Sequence, residues 1–431
     1  MSNPFLKDIP KLLADKVITE ETAEKIRTYY QSEKKNSGER LLMLSGVLGS
    51  LLVGLGIILI LAHNWDDLGR MVKTILAFIP LIAGQFAAWF ALYRKRENQA
   101  WREAASVFLI LAIGSCMAMV SQIYNLGGEL SDFLLVWIAV SIPVVYVMNS
   151  GMTSVLVISG ITWYGSLVGY ENYPKQSPWM YLVVMAIMAP FYWKLSLNPA
   201  EKRTAGFHHI LIAISVSIML ATFFNKVEPW SVTAYFSLFS FLYLIGQMPF
   251  FKENSIWNNS YQFIGLTGIF LLLFVFSFDE SWREIGRDFY FSKTENYRGL
   301  GITIGFSIGA LALIFFSVLQ KEITKRHLPG IIFIIFIPLF PMGHFYPVVA
   351  TILVNVIILF FGILLISTGA KQNDLTHLNF GLTIISILII CRFFDQDIPF
   401  VLRGIIFIGL GIGFFLSNYL TLQKRKKDLQ Q

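Results

Sequence analysis

Apolar runs of membrane length recur from residue 41 to residue 420, and no other feature restricts the fold of this chain so severely. Fourteen can be delimited: 41–62, 71–93, 104–124, 133–148, 151–168, 178–193, 207–224, 231–250, 259–278, 298–319, 328–341, 347–368, 377–394 and 399–420. A run of about eighteen or more apolar residues suffices to cross the hydrocarbon core of a bilayer. Inside that core the backbone must satisfy its own hydrogen bonds, which a helix does within one segment. The expected fold is therefore all-α, a polytopic integral membrane helix bundle of about fourteen spans. The short runs 133–148, 178–193 and 328–341 set the range at twelve to fourteen, and 328–341, with Pro329, Pro338 and Pro341, reads as broken or re-entrant.

Composition agrees. Charged residues make up 14% of the chain against 55% hydrophobic and 15% aromatic, where soluble domains carry about 25% charged residues. The net charge of +7 comes from basic residues at the ends of apolar runs, with no interleaved basic stripe, so nucleic acid is not an expected partner. Cys116 and Cys391 both lie in apolar runs, where cysteine packs as a small hydrophobe, and no disulfide is expected. The first forty residues are polar and lack a cleavable signal pattern, so the first span reads as an uncleaved anchor.

With the N-terminus placed in the cytosol, 24 of the 34 basic residues fall on inside segments. That asymmetry is the one the positive-inside rule requires, and an even span count puts both termini in the cytosol. The chain then divides into a cytosolic helical hairpin over 1–40, a first membrane unit over 41–150, further spans over 151–420 and a basic tail over 421–431. Within the hairpin, Thr19 is placed to cap a helix over 20–31, with Glu20 and Glu21 at its positive end. A hairpin of this size buries little core alone, so a protein partner for 1–40 is one expectation; a solvated element carrying orientation charges is the other.

Polar residues at or inside a bilayer are costly and default to functional hypotheses. The outer turns carry most of them. Ligand or ion candidates are His63, Asn64 and Asp66 in the first turn and Gln122, Tyr124, Asn125 and Glu129 in the second, with Arg392 and Asp395 near the C-terminus. Asp66 or Asp67 also suits an N-cap, Trp65 an interfacial anchor, and Arg392 and Asp395 can neutralise one another across one turn. Asn125 and Gly127-Gly128 suit positive φ, and Ser131 is expected to cap the following helix. Deeper in the apolar runs, Gln85 and Asn355 are the intramembrane polar candidates, of a kind that more often fixes packing than conducts ions. Residues 279–297 read either as a short interfacial helix with Trp282, Ile285 and Phe289 on one side or as an irregular loop. Small-residue stripes at Gly46/Ser50/Gly54, Gly301/Gly305/Gly309 and Gly409/Gly413 read as faces for close packing within the chain.

No phosphate loop, HExxH helix, CxxC pair or nucleophile elbow is present in the sequence. His208 and His209 are adjacent, so their rings diverge on a helix. No metal, no cofactor and no enzymatic activity are expected.

The stretches Ala62-His-Asn-Trp-Asp66, Gly84-Gln85, Trp101-Arg-Glu103, Ser121-Gln-Ile-Tyr124 and Gly127-Gly128 resemble a bacterial family of predicted membrane proteins, domain of unknown function twenty-one fifty-seven. The likeness covers about residues 5–150 and implies a membrane protein without assigning an activity. The first functional expectation is a transporter- or channel-like protein with an outer-facing polar site. The rivals are a membrane scaffold or envelope sensor signalling through 1–40, and, more weakly, an intramembrane enzyme acting on a lipid-linked substrate.

Overall fold

A computed structural model describes residues 12–13, 17, 19–25, 67–171, 176–198, 201–224, 230–251, 259–284, 298–320, 325–371 and 374–395, with single positions between 408 and 419. The chain divides into two compact units, Met1–Phe78 and Ile79–Gln431. In the first, the Thr19 hydroxyl accepts the Thr22 N–H at 3.3 Å and so caps a helical stretch over 20–25. Glu21 and Lys25, one turn apart, pair at 2.7 Å. The run 41–62, together with His63, Asn64, Trp65 and Asp66, lies outside the described residues, as does most of 399–420. Asp67 sits in a turn just before helix α1 (Arg70–Arg94), with Gly69 directly preceding the helix.

Along the second unit follow α2 (Gln99–Tyr124), α3 (Leu130–Met148) and α4 (Gly151–Ser166), the last continued by a π turn, Leu167–Glu171. Then come α5 (Trp179–Leu197), α6 (Lys202–Leu220), α7 (Ser231–Gln247) and α8 (Ser260–Val275). The series closes with α9 (Arg298–Leu319), α10 (Ile332–Phe345), α11 (Pro347–Lys371) and α12 (Leu375–Asp395). Among the described residues there is no strand, and ten helical segments are long and apolar enough to cross a membrane; α7 and α8 are apolar but shorter. The protein is an all-α polytopic membrane bundle.

Helix α10 corrects one expectation. The stretch His327–Phe345 is a single helical segment of spanning length, entered through a 3₁₀ stretch over Lys325–Ile331, with Pro338 and Pro341 inside α10. Each proline removes one intrahelical hydrogen bond, yet the helix continues past both and buries Ile332, Phe333, Phe336, Leu339 and Phe340. Pro80, Pro143 and Pro190 likewise sit inside α1, α3 and α5 without ending them.

Two apolar cores organise the second unit. One gathers Leu134, Ile138, Val157, Ile161, Tyr181 and Met188 from α3, α4 and α5. The other gathers Phe236, Ile269, Trp282, Phe336, Val354 and Leu388 from α7, α8, α10, α11 and α12. Between them α6, α7 and α8 meet through Ala213, Leu238 and Tyr261. Close backbone approach occurs largely away from the expected small-residue stripes. A Cβ on Gly265 would lie 2.5 Å from the Tyr243 nitrogen, and one on Gly369 2.4 Å from the Leu378 nitrogen. Gly309 does pack tightly, against the Phe241 ring, whereas Gly301, Gly305, Gly409 and Gly413 meet nothing within 4 Å. A sequence stripe marks where helices can approach, and the neighbouring side chains decide where they do.

The first core is locked at one end by a polar node. Glu103, on the first turns of α2, reaches the start of α4: its two carboxylate oxygens accept the Gly151 N–H at 2.9 Å, the Met152 N–H at 3.0 Å and the Ser150 hydroxyl. These are the donors that a helix N-terminus leaves unsatisfied, and a carboxylate there also faces the positive end of the helix dipole. Ser150 is itself the N-cap, accepting from Thr153 N–H at 3.1 Å, and Thr153 Oγ1 donates to Ser106 Oγ at 2.9 Å. His208 of α6 lies against this network, with Nε2 3.0 Å from Ser154 Oγ and Nδ1 2.8 Å from the Thr204 carbonyl. His209 points elsewhere, into the rings of Phe251 and Tyr261.

Candidate functional site

At the opposite end from the Glu103 node, the chain leaves α8 in a tight turn. Phe276 and Ser277 close back on Leu272 and Phe274 at 3.0 and 3.2 Å, and a short helical stretch begins at Asp279. Trp282 pins this segment: it is 2% exposed, its Nε1–H donates to the Phe276 carbonyl at 2.8 Å, and its ring meets Phe276 edge-on at 4.8 Å. This decides between the two readings of 279–297 for its first residues, which are helical, and corrects the interfacial placement of Trp282. The side chain is core, because Gly343 leaves room that only a flat ring fills. Residues 285–297 lie outside the described residues.

The turn thus presents Ser277, Phe278 and Asp279 in fixed positions, and α11 and α12 bring three more polar groups to them. Arg392 donates from Nη2 to Ser277 Oγ at 3.2 Å, and its guanidinium carbon stands 4.5 Å from the Phe278 ring centre. Asn355 of α11 donates from Nδ2 to the Ser277 carbonyl at 3.1 Å and to the Thr351 carbonyl, one turn earlier, at 2.7 Å. Asp279 holds Arg283 through one oxygen, at 2.6 and 2.7 Å. Together Asp279, Thr351, Asn355 and Arg392 line a cavity of about 550 Å³ whose walls are Val348, Ile352, Val356, Leu359 and Leu388.

Three polar atoms of this cavity lack a hydrogen-bond partner among the described residues: Asp279 Oδ1, Thr351 Oγ1 and Asn355 Oδ1. Buried polar groups are nearly always paired, and an unpaired one costs about 1–3 kcal/mol. Apolar walls, a few convergent polar groups and a guanidinium are the make-up of a small-molecule site. The guanidinium presents planar N–H donors suited to a carboxylate or phosphate, and the Thr351 hydroxyl can donate beside it. Among the described residues no group of three or more His, Cys, Asp or Glu side chains could hold a metal ion.

Of the residues expected from sequence, Arg392 and Asn355 meet in this cavity. Asp395 ends α12, and its side chain lies outside the described residues. The second turn forms a separate, exposed feature. Asn125 closes α2 in the left-handed conformation (φ 50°), and Gly128 takes φ 151°. Gln122, Tyr124, Asn125 and Glu129 are all exposed. Ser131 is not the cap of α3; the N-cap position is Glu129, without a side-chain cap bond, and Ser131 falls in the first turn. Gln85 is exposed on α1. Helices α2 and α3 pack on α4, whereas α11 and α12 pack on each other, with α8 and α10 alongside, so among the described residues no extended interface joins the second turn to the Arg392 cavity. His63, Asn64 and Asp66 lie outside the described residues.

Sequence reasoning passed over Thr351 as a site residue and weighed Asp279 only as part of a loop. Thr351 stands four residues before Asn355, so the two share a helix face, and that spacing was the available signal.

Residues 10–154 match the model of a family described as "Predicted membrane protein (DUF2157)". The match is to about a third of the chain; it takes in α1, α2, α3 and the Glu103 node, and stops far short of the Arg392 cavity. No curated protein and no solved structure matches the chain.

Proposed function

We propose that this multi-pass membrane protein is transporter- or channel-like and binds a ligand with an anionic group in the Arg392 cavity. The observation that carries the reading is the convergence of a guanidinium and the partnerless Thr351 hydroxyl, which can donate to an anionic group, with two partnerless acceptors, Asp279 Oδ1 and Asn355 Oδ1, which call for a donor on the same ligand, in one apolar-walled cavity at one end of the bundle. The distribution of basic residues supports both termini in the cytosol of a bacterial inner membrane, which sets the cavity on the outer side. The pinned turn supports recognition by a preformed site rather than by a mobile loop.

The test is transport in proteoliposomes of the full chain, using labelled inorganic phosphate, acetate and a fluorescent anionic lipid analogue as probes. Movement of one probe across the bilayer that drops tenfold or more in Arg392→Gln and Asn355→Leu, with unchanged melting temperature, is the expected result. Equal rates for wild type, both variants and protein-free vesicles with every probe would sink the transport reading. Reporter fusions at the C-terminus and within 285–297 check the orientation; an outside C-terminus would reverse the assignment of the cavity.

A further inference from the structure

The hydrogen bonds around the Arg392 cavity define what a ligand must bring. Asn355 gives both N–H donors of its amide to carbonyls, those of Ser277 and Thr351. That fixes which way the amide faces, and its oxygen is left as an acceptor in the cavity wall. Asp279 places Oδ2 on Arg283, and Oδ1 has no partner among the described residues. Two such acceptors, one of them on a carboxylate, call for a group with more than one N–H. An ammonium carries three.

Charge narrows the choice further. Asp279 and Arg392 line one cavity with opposite signs. A lone anion would face the Asp279 carboxylate and a lone cation the Arg392 guanidinium, like charge against like in each case. A ligand that carries both signs meets each with its opposite. Its two charges must also lie close together. Arg392 bonds the hydroxyl of Ser277 and Asn355 the carbonyl of that same residue, while Asp279 follows two positions later. A guanidinium has five N–H donors in a planar fork suited to a carboxylate, and Thr351 Oγ1 can donate beside it.

The rest of the wall is aliphatic. Helices α11 and α12 pack on each other and are joined by residues 372–374 alone, so they run antiparallel. Leu359, one turn beyond Asn355, and Leu388, one turn before Arg392, therefore lie on the same side of the polar groups. The cavity has a charged end and an apolar end, and its volume of about 550 Å³ is that of a small-molecule site.

We infer that the cavity is a site for an α-amino acid with an aliphatic side chain. The ammonium lies toward Asp279 and Asn355, the carboxylate toward Arg392 and Thr351, and the side chain toward Leu359 and Leu388. The inference rests on the proposed function, of which it names the ligand class.

The test measures binding of tritiated L-leucine to the full chain in nanodiscs, in competition with two fragments. One is 4-methylpentanoate, which lacks the ammonium; the other is 3-methylbutylamine, which lacks the carboxylate. Each fragment should bind at least tenfold more weakly than leucine. Asp279→Asn should cancel the advantage of leucine over 4-methylpentanoate, and Arg392→Gln its advantage over 3-methylbutylamine. Thr351→Val, which should melt with the wild type, is expected to weaken leucine and 4-methylpentanoate several-fold and to spare the amine. No saturable binding of leucine at millimolar concentration overturns the inference. So does either fragment binding as well as leucine, and so does a uniform loss of all three ligands in folded variants. The two readings fail separately. Leucine binding with this pattern but without movement across a proteoliposome membrane keeps the amino-acid site and removes the transporter. Arg392-dependent acetate transport without leucine binding does the reverse.

Discussion

The Glu103 node and the Arg392 cavity are both polar clusters at the ends of apolar helices, and each is built around a charged side chain. They differ in how their hydrogen bonds are spent. At Glu103 both carboxylate oxygens are occupied by the start of α4, and Ser150, Thr153 and Ser106 pass bonds among themselves in a closed chain. Around Arg392 the polar atoms of Asp279, Thr351 and Asn355 face a cavity with bonding capacity left over. Charge in or near a membrane is therefore a poor guide to function when read alone. A satisfied cluster fastens helices, and an unsatisfied one implies something to be bound.

Substitutions can break this contrast or sharpen it. The largest loss of stability is expected on the cavity side but not from its polar groups. Trp282→Ala removes the buried ring that pins the turn and should cost about 3–5 kcal/mol, read as a lowered midpoint in detergent denaturation together with loss of Arg392-dependent probe transport. Next, Glu103→Ala should cost about 2–4 kcal/mol, because a charge-assisted set of bonds is lost and the buried Gly151 loses the acceptor for its N–H, while Met152 is exposed; Arg392-dependent probe transport should persist in the fraction that remains folded. If Glu103→Ala melts with the wild type, the node is ornamental and the contrast fails.

The same substitution made in both places is sharper still. Thr153→Val deletes a buried hydroxyl that donates to Ser106 and should cost about 1–3 kcal/mol, whereas Thr351→Val deletes a partnerless one and should be neutral within about 0.5 kcal/mol or stabilising. Equal costs at the two positions would show that the cavity's polar groups are as structurally committed as the node's.

The smallest effect concerns the entry to α12. Burial pushes the Asp374 carboxyl up, but the His377 ring, bonded at 2.5 Å, and the N–H groups of His377 and Thr376 outweigh it and hold the carboxyl down at about 2. A carboxyl whose folded value lies below its unfolded value contributes stability that is whole above the unfolded value and is lost as pH falls through the folded one. Comparing wild type with Asp374→Asn, the stability difference should be constant above pH 3.8 and shrink toward zero near pH 2. A difference that grows on acidification would contradict the cap.

The helices were legible because their signal is local: length and uniform apolarity require no knowledge of neighbours, and twelve of the fourteen runs coincide with described helices. Thr19 as a cap and Asn125 as a left-handed residue were legible for the same reason. What sequence could not supply was the meaning of contacts between distant residues. Glu103 stood out only within a Trp-Arg-Glu motif, since its partners lie 47 to 49 residues away. Arg392 was singled out, but it was grouped with the first and second turns on the ground of a shared membrane side. Sharing a side does not bring helices together, and its cavity companions come from α11, from Leu388 of its own helix and from the turn at Asp279. Trp282 was misplaced because an aromatic beside a polar loop resembles an interfacial anchor until the glycine that accommodates it, 61 positions away, is known.

That glycine has a consequence for how the protein varies. A Cβ at position 343 would stand 2.3 Å from the indole of Trp282, in a wall already closed by Phe276 and Phe336. Neither position can change by itself without leaving a clash or a hole. Among homologous chains, positions 282 and 343 should consequently drift as a pair, with any side chain larger than hydrogen at 343 accompanied by something smaller than tryptophan at 282. Such paired drift would trace the pinned turn that carries Ser277 and Asp279 in sequences whose structures have never been determined.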